Sequence, residues 1–178
     1  MGKMTKEQVE KNKYKLENQD LSGLDLSNLD LSFAFMEKAN VKQSILKGAN
    51  LSGANMNRID AEFAVFGGAN MCNTKLEYAY LYGAHLQDAN LTHANLTRAD
   101  LRDANLSRAD LSHAVLTDAR LEGADLTDTD LTNANLRGAN LRGANLTNAK
   151  VYKAILDHTN LPSKDRNELR NRGAIIDY

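Results

Sequence analysis

Apolar residues recur at every fifth position along most of the chain. Between Gln19 and Leu161 the central position of each pentad is Leu or another apolar residue, and the residue two positions earlier is usually Ala. The pattern is most regular between Ala89 and Asn148. A period of five fits neither the alternation of a flat strand nor the 3.6-residue period of an amphipathic helix. The pattern therefore predicts a solenoid, in which the chain turns a corner at each pentad and both apolar positions point inward.

The positions beside the central residue predict how these corners are made. Asn or Asp usually precedes the central Leu, and a short polar side chain there can hydrogen-bond the nearby backbone. Gly is common two residues after the Leu and tolerates the positive φ of a tight corner. In several pentads the residue two positions before the central one is not Ala: Leu24, Leu29, Ser44, Ile59, Thr74 and Thr129.

The pattern Ala-(Asn/Asp)-Leu-x-x resembles that of the pentapeptide-repeat family over about Gln19 to Leu161. The resemblance implies an all-β solenoid, a right-handed quadrilateral β-helix of about seven coils with four pentads per coil. Residues twenty apart are then expected to stack at an inter-strand spacing of about 4.8 Å. No insertion breaks the pattern, so the chain resembles the HetL-like type of the family more than the Qnr or MfpA type.

Three segments are predicted: an N-terminal cap over residues 1–18, the β-helix over 19–162, and a C-terminal capping helix with a tail over 163–178. Thr5 and Gln8 have the spacing of a capping box and predict a short helix from Lys6 to Asn12. That helix either covers the first coil as a lid or belongs to a frayed tail.

The C-terminal segment begins where the repeat stops. Ser163 is the predicted N-cap of a short helix, Lys164 to Asn171, that ends near Gly173. A cap is expected because the open end of a β-solenoid exposes unpaired backbone groups. In some members of the family this end also forms a dimer, so the chain is expected to be a monomer or a dimer through a terminal cap.

Composition limits the partners and the compartment. Charge is balanced, with 22 Lys and Arg against 23 Asp and Glu, so no overall field attracts nucleic acid or an anionic membrane. Cys72 is the only cysteine, which excludes an intrachain disulfide and suits a reducing compartment. The N-terminus lacks an apolar signal-peptide core, and no apolar run approaches membrane-spanning length. We therefore predict a cytoplasmic protein that binds neither nucleic acid nor membrane.

Residues suited to catalysis or metal binding are sparse. No nucleophile, base and orienting group can be assembled, no phosphate-binding loop is present, and a continuous prism offers no pocket, so neither enzymatic activity nor a cofactor is predicted. His93 and His113 are twenty apart and should stack, with Cys72 one coil earlier in the neighbouring position. Such a straight ladder suits tetrahedral zinc poorly, and no metal site is predicted.

The outward positions carry an unusual number of aromatic residues. Exposed aromatic clusters often mark protein contacts, although stacked rings also stabilise the faces of a β-solenoid. Tyr78 is expected at the corner that precedes one face, with three of the other rings on that face. The candidate partner-binding residues are Phe33, Phe35, Phe63, Tyr78, Tyr80 and Tyr82. A column of alternating charge is expected on the same face: Lys42, Glu62, Tyr82, Arg102, Glu122 and Arg142.

These observations favour a non-catalytic scaffold that presents a rigid surface to an unidentified protein partner. The alternative is a DNA-mimicking protein that protects or inhibits a topoisomerase such as gyrase, as the Qnr and MfpA types of the family imply. Residues 19–162 contain 17 Asp and Glu against 13 Lys and Arg, a net charge of −4. That charge is small for imitating DNA, which carries about one charge per 1.7 Å.

Overall fold

In a computed structural model, which describes residues 4–177, the chain forms a right-handed quadrilateral β-helix of about seven coils. Each coil takes twenty residues, and parallel bridges join residues twenty apart, from Asp20 with Asn40 to Ile155 with Ile175. Each side of the prism contributes one bridged residue per coil, so the β-structure consists of isolated bridges. The outer ends of the two predicted terminal segments, residues 1–3 and 178, lie outside the described residues.

The helices lie at the two ends of the prism. Helix α1 spans Lys6–Lys11, a 3-10 turn follows at Lys13–Lys15, and helix α2 spans Ser163–Asn171. Within residues 4–177 no helix has the length and apolar character needed to span a bilayer.

The same hydrogen-bond pattern repeats in every pentad that is followed by another coil, and it explains the five-residue period. The central Leu21 N–H donates to the Asn40 carbonyl at 2.7 Å, and the Gly23 N–H donates to the Lys42 carbonyl at 2.8 Å. In return the Asn40 N–H donates to the Gln19 carbonyl at 2.9 Å. Each short side of a coil thus pairs fully with the next coil, as parallel strands do.

Every corner uses a left-handed residue two positions after the central one. The preceding Asp or Asn closes the turn, as predicted: the Asp20 carboxylate accepts the Ser22 N–H at 3.1 Å. The sequence indicated glycine at these corners, but most of them are occupied by other residues with φ near +57°, Phe63 and Tyr78 included. A bulky side chain rarely adopts this conformation, so the coil pairing and the turn together impose it.

The core is a column of Leu and Ala that runs the length of the prism. Central residues such as Leu101 are fully buried, and Ile59 and Ala61 are both buried despite their exchanged sizes. Hydroxyl groups that replace Ala are satisfied by backbone carbonyls: Ser44 donates to Leu21 at 2.8 Å, and Thr129 donates to Leu106 at 2.9 Å. The polar departures from the pattern therefore fit the core without an unpaired group.

Helix α1 covers the first coil, as the lid interpretation predicts. The capping box of Thr5 and Gln8 is present, and Val9 is fully buried against the core. The helix ends at Lys11, one residue earlier than expected. Side chains replace the missing coil: Glu10 accepts the Asp30 N–H at 3.2 Å, while Lys6 donates to the Ser27 carbonyl. These contacts cover backbone groups that an open solenoid end would expose.

Helix α2 covers the other end, and one detail of its prediction is wrong. Ser163 is the first helical residue, and Pro162 occupies the N-cap position without a side-chain cap. The proline ring fixes φ, here −58°, and the backbone at this residue is extended, with ψ of 148°, so the helix begins directly after it. Leu169 is buried, and Ile175 returns to form a bridge with Ile155.

Replacing Leu101 with Asp should lower the free energy of unfolding by about 4 kcal/mol, because it removes a buried side chain and leaves a charge without a partner. Urea titration against wild type measures this loss. Thr117→Asp, on an outward position of a neighbouring coil, is the control and should change stability little. Equal stability of wild type and Leu101→Asp would contradict the inward orientation of the central residues.

The N-terminal cap should loosen in acid. The Ser32 hydroxyl and the Lys13 ammonium group both hydrogen-bond the Asp30 carboxylate and hold its pKa below the ordinary value. A depressed pKa gives stability that is present above the ordinary Asp pKa of about 3.9 and is lost as pH falls through the folded-state pKa. Asp30→Asn should remove this part of the pH dependence of thermal melting. Asp128→Asn, on a distant corner, should leave it unchanged, and identical profiles for both variants would refute the assignment.

Candidate functional site

The six aromatic candidates lie in two separate places. Tyr80 and Tyr82 lie on one face and Tyr78 lies at the corner before it, as predicted, whereas Phe63 lies at the corner that ends the face and not on the face itself. The bridged residues of that face are Asp20, Asn40, Asp60, Tyr80, Asp100, Arg120 and Asn140. Phe33 and Phe35 lie on another side of the first coils, and no ring contact within residues 4–177 joins the two groups.

The Phe33 and Phe35 pair belongs to the N-terminal end of the prism. The Phe35 ring contacts the Tyr14 ring edge-on, with centroids 5.8 Å apart. The Phe33 ring lies over Gly53 in the next coil, close to where a Cβ of that residue would be. Packing therefore accounts for much of the position of these two rings, although both remain exposed.

The larger group is interleaved with arginines on the same columns. We call these residues the aromatic–arginine cluster: Arg58, Phe63, Tyr78, Tyr80, Tyr82, Arg98 and Arg102. Arg102 was expected beside Tyr82 in the charge column, but Arg58 and Arg98 were not predicted, although their spacing of twenty from Tyr78 signalled them.

Two arginines hold the Tyr78 ring at the corner. The guanidinium carbons of Arg58 and Arg98 both lie 5.7 Å from the ring centroid, within cation–π range. Arg98 also donates to the Tyr78 hydroxyl at 2.8 Å and lies 3.5 Å from the Asp118 carboxylate. Arg58 has no ion pair within the described part of the chain, so its N–H groups remain available to a partner.

Tyr82 is fixed from both sides. The Phe63 ring meets it edge-on at 5.3 Å, and the Arg102 guanidinium carbon lies 5.5 Å from its centroid. Arg102 is itself held by a two-bond fork to Asp100, at 2.8 and 2.6 Å. Burial raises the pKa of Asp100, but the hydrogen bonds from Arg102 outweigh this effect and lower the pKa overall.

The expected column of alternating charge is present only in part. Lys42 pairs with Glu62 at 3.1 Å, as predicted. Beyond Tyr82 the prediction is wrong, because Arg102 pairs with Asp100 of its own pentad and not with Glu122. Asp100 binds the Arg102 guanidinium group with both carboxylate oxygens. A prediction that treats each side chain as a single charge in a column does not include this two-bond geometry.

Tyr80 differs from its neighbours because no polar, aromatic or cationic group of the described chain contacts its ring in a way that fixes it. Its side chain is 53% exposed, and it makes no hydrogen bond, ring contact or cation–π contact within residues 4–177. Its backbone, in contrast, is fixed by bridges to Asp60 and Asp100. The Tyr80 ring therefore lacks such contacts, although its backbone is rigid and its neighbours in the aromatic–arginine cluster are held in place.

The three candidate metal ligands do not form a site. The His93 and His113 rings stack as predicted, with centroids 4.8 Å apart and planes inclined by 19°. The Cys72 sulfur instead lies 3.1 Å from the side-chain amide of Asn73. Among residues 4–177 no group of three or more His, Cys, Asp or Glu side chains is placed to hold a metal ion.

Comparison with known proteins identifies related sequences and folds. The family profile described as Pentapeptide repeats matches in overlapping copies that together cover residues 15–161. A comparison with curated protein sequences found no match.

Several solved structures of other proteins are similar to this chain. A trypsin-treated variant of QnrB1, a plasmid-mediated fluoroquinolone resistance protein, has a TM-score of 0.71 at 16% identity, covering 90% of this chain and 92% of that one. A second such variant has a TM-score of 0.62 at 18% identity, covering 93% and 86%. HetL, a pentapeptide repeat protein involved in heterocyst differentiation regulation from the cyanobacterium Nostoc sp. strain PCC 7120, has a TM-score of 0.40 at 28% identity, covering 97% and 92%. The two QnrB1 structures share the fold, and greater similarity to the HetL-like type stays a prediction.

Gly83→Ala should disturb the cluster more than a glycine substitution elsewhere. A Cβ on Gly83 would lie 2.5 Å from the Phe63 ring, which would have to move away from Tyr82. Gly23→Ala is the matched control, because Gly23 has a similar positive φ and no atom within 4 Å of a Cβ. We expect Gly83→Ala to cost about 1 kcal/mol more than the control and to alter the near-ultraviolet circular dichroism. Equal costs and unchanged spectra would show that Phe63 does not pack on Gly83.

Proposed function

Since the chain belongs to the pentapeptide-repeat family, we propose that it is a non-catalytic scaffold that binds a protein partner through the aromatic–arginine cluster. The observation that carries this proposal is Tyr80, an exposed ring in the cluster that makes no hydrogen bond, ring contact or cation–π contact within residues 4–177.

The composition of the cluster supports a protein contact. Tyrosine and arginine are enriched among the residues that contribute most to binding energy, and such residues concentrate near the centre of an interface. Tyr80 supplies a large apolar surface at the cost of few rotatable bonds. Arg58 adds hydrogen-bond donors that no described acid occupies. The site therefore combines an apolar centre with polar groups at its edge.

The rigidity of the surroundings also favours binding. Tyr78 is held by Arg58 and Arg98, and Tyr82 by Phe63 and Arg102, so these side chains lose little freedom when a partner docks. Association is weakened when side chains must be ordered at the interface. A surface ordered beforehand avoids most of that cost, and the partner needs to order only Tyr80.

The alternative, a DNA-mimicking topoisomerase protection protein, has less support. Its mechanism requires a dense negative surface, whereas the repeat region has a net charge of −4 and its most distinctive face carries Arg58, Arg98 and Arg102. The similarity to QnrB1 concerns the fold. We further propose a cytoplasmic location, which the single free thiol of Cys72 supports.

Substituting Tyr80→Ala and Tyr82→Ala together should weaken partner binding at least tenfold, because both residues line the centre of the proposed interface. Immobilised wild-type and variant proteins are compared by quantitative affinity capture from the native extract, followed by titration with each captured protein. Phe33→Ala with Phe35→Ala is the matched control, since it also removes two aromatic rings from outward positions. Recovery of the same partners at equal affinity by all three proteins would exclude the cluster as the contact.

A further inference from the structure

The final coil of the β-helix has no following coil, and other groups replace some of its missing partners. In an internal pentad the central N–H, the N–H two residues later and the carbonyl two residues earlier all pair with the next coil. At the C-terminal end the Leu141 N–H donates to the Asn160 side chain at 2.8 Å, and the Lys153 N–H donates to the Gly173 carbonyl at 2.8 Å. The Arg172 guanidinium group donates to the Ala149 carbonyl.

One side of this coil keeps all three backbone groups open. The Leu146 N–H, the Asn148 N–H and the Ala144 carbonyl have no hydrogen-bond partner within residues 4–177. Ala144 and Leu146 are also only half-buried, whereas Ala124 and Leu126, one coil earlier, are fully buried. We call this side the open edge. It is a ready template for one more short strand.

A cavity of about 300 Å³ lies between the open edge and helix α2. Leu141 and Leu146 line it from the coil, and Leu161 and Leu169 line it from the C-terminal segment. This volume is large enough to receive an apolar side chain from a strand that pairs with the edge. The edge and the cavity thus offer backbone pairing and a pocket for a side chain together, the combination used in β-strand addition.

The charge beside the cavity indicates which kind of segment fits. Asp165 and Glu168 of helix α2 both line the cavity. Asp165 is half-buried and has no ion pair within the described chain, while Glu168 pairs with Arg172 at 3.4 Å. An entering segment therefore meets an unpaired negative charge next to the apolar pocket, and a Lys or Arg beside its apolar residue would complement it.

We propose that the open edge binds an extended segment of a partner protein, which adds a parallel strand to the final coil. The segment places an apolar side chain in the cavity and a Lys or Arg near Asp165. Parallel pairing follows from the hydrogen-bond direction of all the preceding coils. A second copy of this chain fits less well, because twofold symmetry would pair identical edges antiparallel and bring two Asp165 side chains together.

The test uses the full chain and the peptide acetyl-Ser-Val-Lys-Leu-Lys-Val-Ser-amide, followed by ¹⁵N NMR. In the expected register the first Lys N–H donates to the Ala144 carbonyl, and Leu enters the cavity. Binding should shift the amide signals of Leu146 and Asn148. A spin label on the peptide N-terminus should broaden signals near Ala144, and one on its C-terminus signals near Asn148. Absence of shifts at millimolar peptide, or a reversed label pattern, would overturn the proposal.

Two controls separate backbone pairing from charge attraction. A peptide N-methylated at the first Lys keeps both charges but lacks the donated N–H, and it should bind at least fivefold more weakly. Asp165→Lys should weaken binding of the unmodified peptide at least fivefold, whereas Glu17→Lys, the same charge change at the opposite end, should not. Equal affinities throughout would overturn the proposal.

Sedimentation of the free protein tests whether a second copy of this chain occupies the open edge in place of a partner segment. A monomer whose Leu146 and Asn148 amides exchange rapidly with solvent supports an edge that is free for a partner. A dimer in which the same amides are protected would show that a second copy occupies the edge, and would overturn the proposal. This test does not depend on the aromatic–arginine cluster, so the two proposals can fail separately.

Discussion

The structure depends on one constraint, the backbone pairing between residues twenty apart. Each pentad must supply two N–H groups and one carbonyl to the next coil, as Leu21, Gly23 and Gln19 do. It must also turn a corner at its last two residues, here Ser22 and Gly23. This pairing fixes the inward direction of Leu and Ala and imposes the left-handed conformation on whatever residue stands at the corner. The side chains adapt to the backbone, which explains why Phe63 and Tyr78 occupy positions that favour glycine.

The same constraint gives each outward side chain few neighbours, namely the residues of its own pentad and those one coil before and after it. Glycine at one corner makes room for a large side chain on the coil before, as Gly83 does for Phe63 and Gly53 does for Phe33. Arginine on adjacent coils holds Tyr78 in the same way. A recognition surface can therefore be built from local columns without disturbing the core, and stability remains a sum of nearest-neighbour contacts.

The sequence was sufficient for the features that repeat. The five-residue period predicts the inward Leu and Ala and the stacking of His93 on His113, because each follows from the position of the residue within the repeat. The position of a residue within the repeat did not predict which of two neighbouring side chains it would contact. Arg102 has Asp100 and Glu122 within reach, and only the geometry of the fork selects Asp100. Likewise the repeat does not indicate that Pro162, and not Ser163, occupies the N-cap position of helix α2.

The ends of the prism follow from the same constraint, applied where the repeat runs out. At the first coil, Lys6, Glu10 and Lys13 replace a missing coil with side-chain hydrogen bonds, and at the last coil Asn160 and Arg172 do so. These replacements are local, so among the described residues one side of the last coil has no pairing at all while the other sides are paired in part. The cluster on the face and the open edge therefore differ in kind. In the aromatic–arginine cluster the backbone is already hydrogen-bonded, so a partner would contact side chains. At the open edge a partner would pair with the backbone itself. A partner that binds one of these sites therefore needs no feature that fits the other.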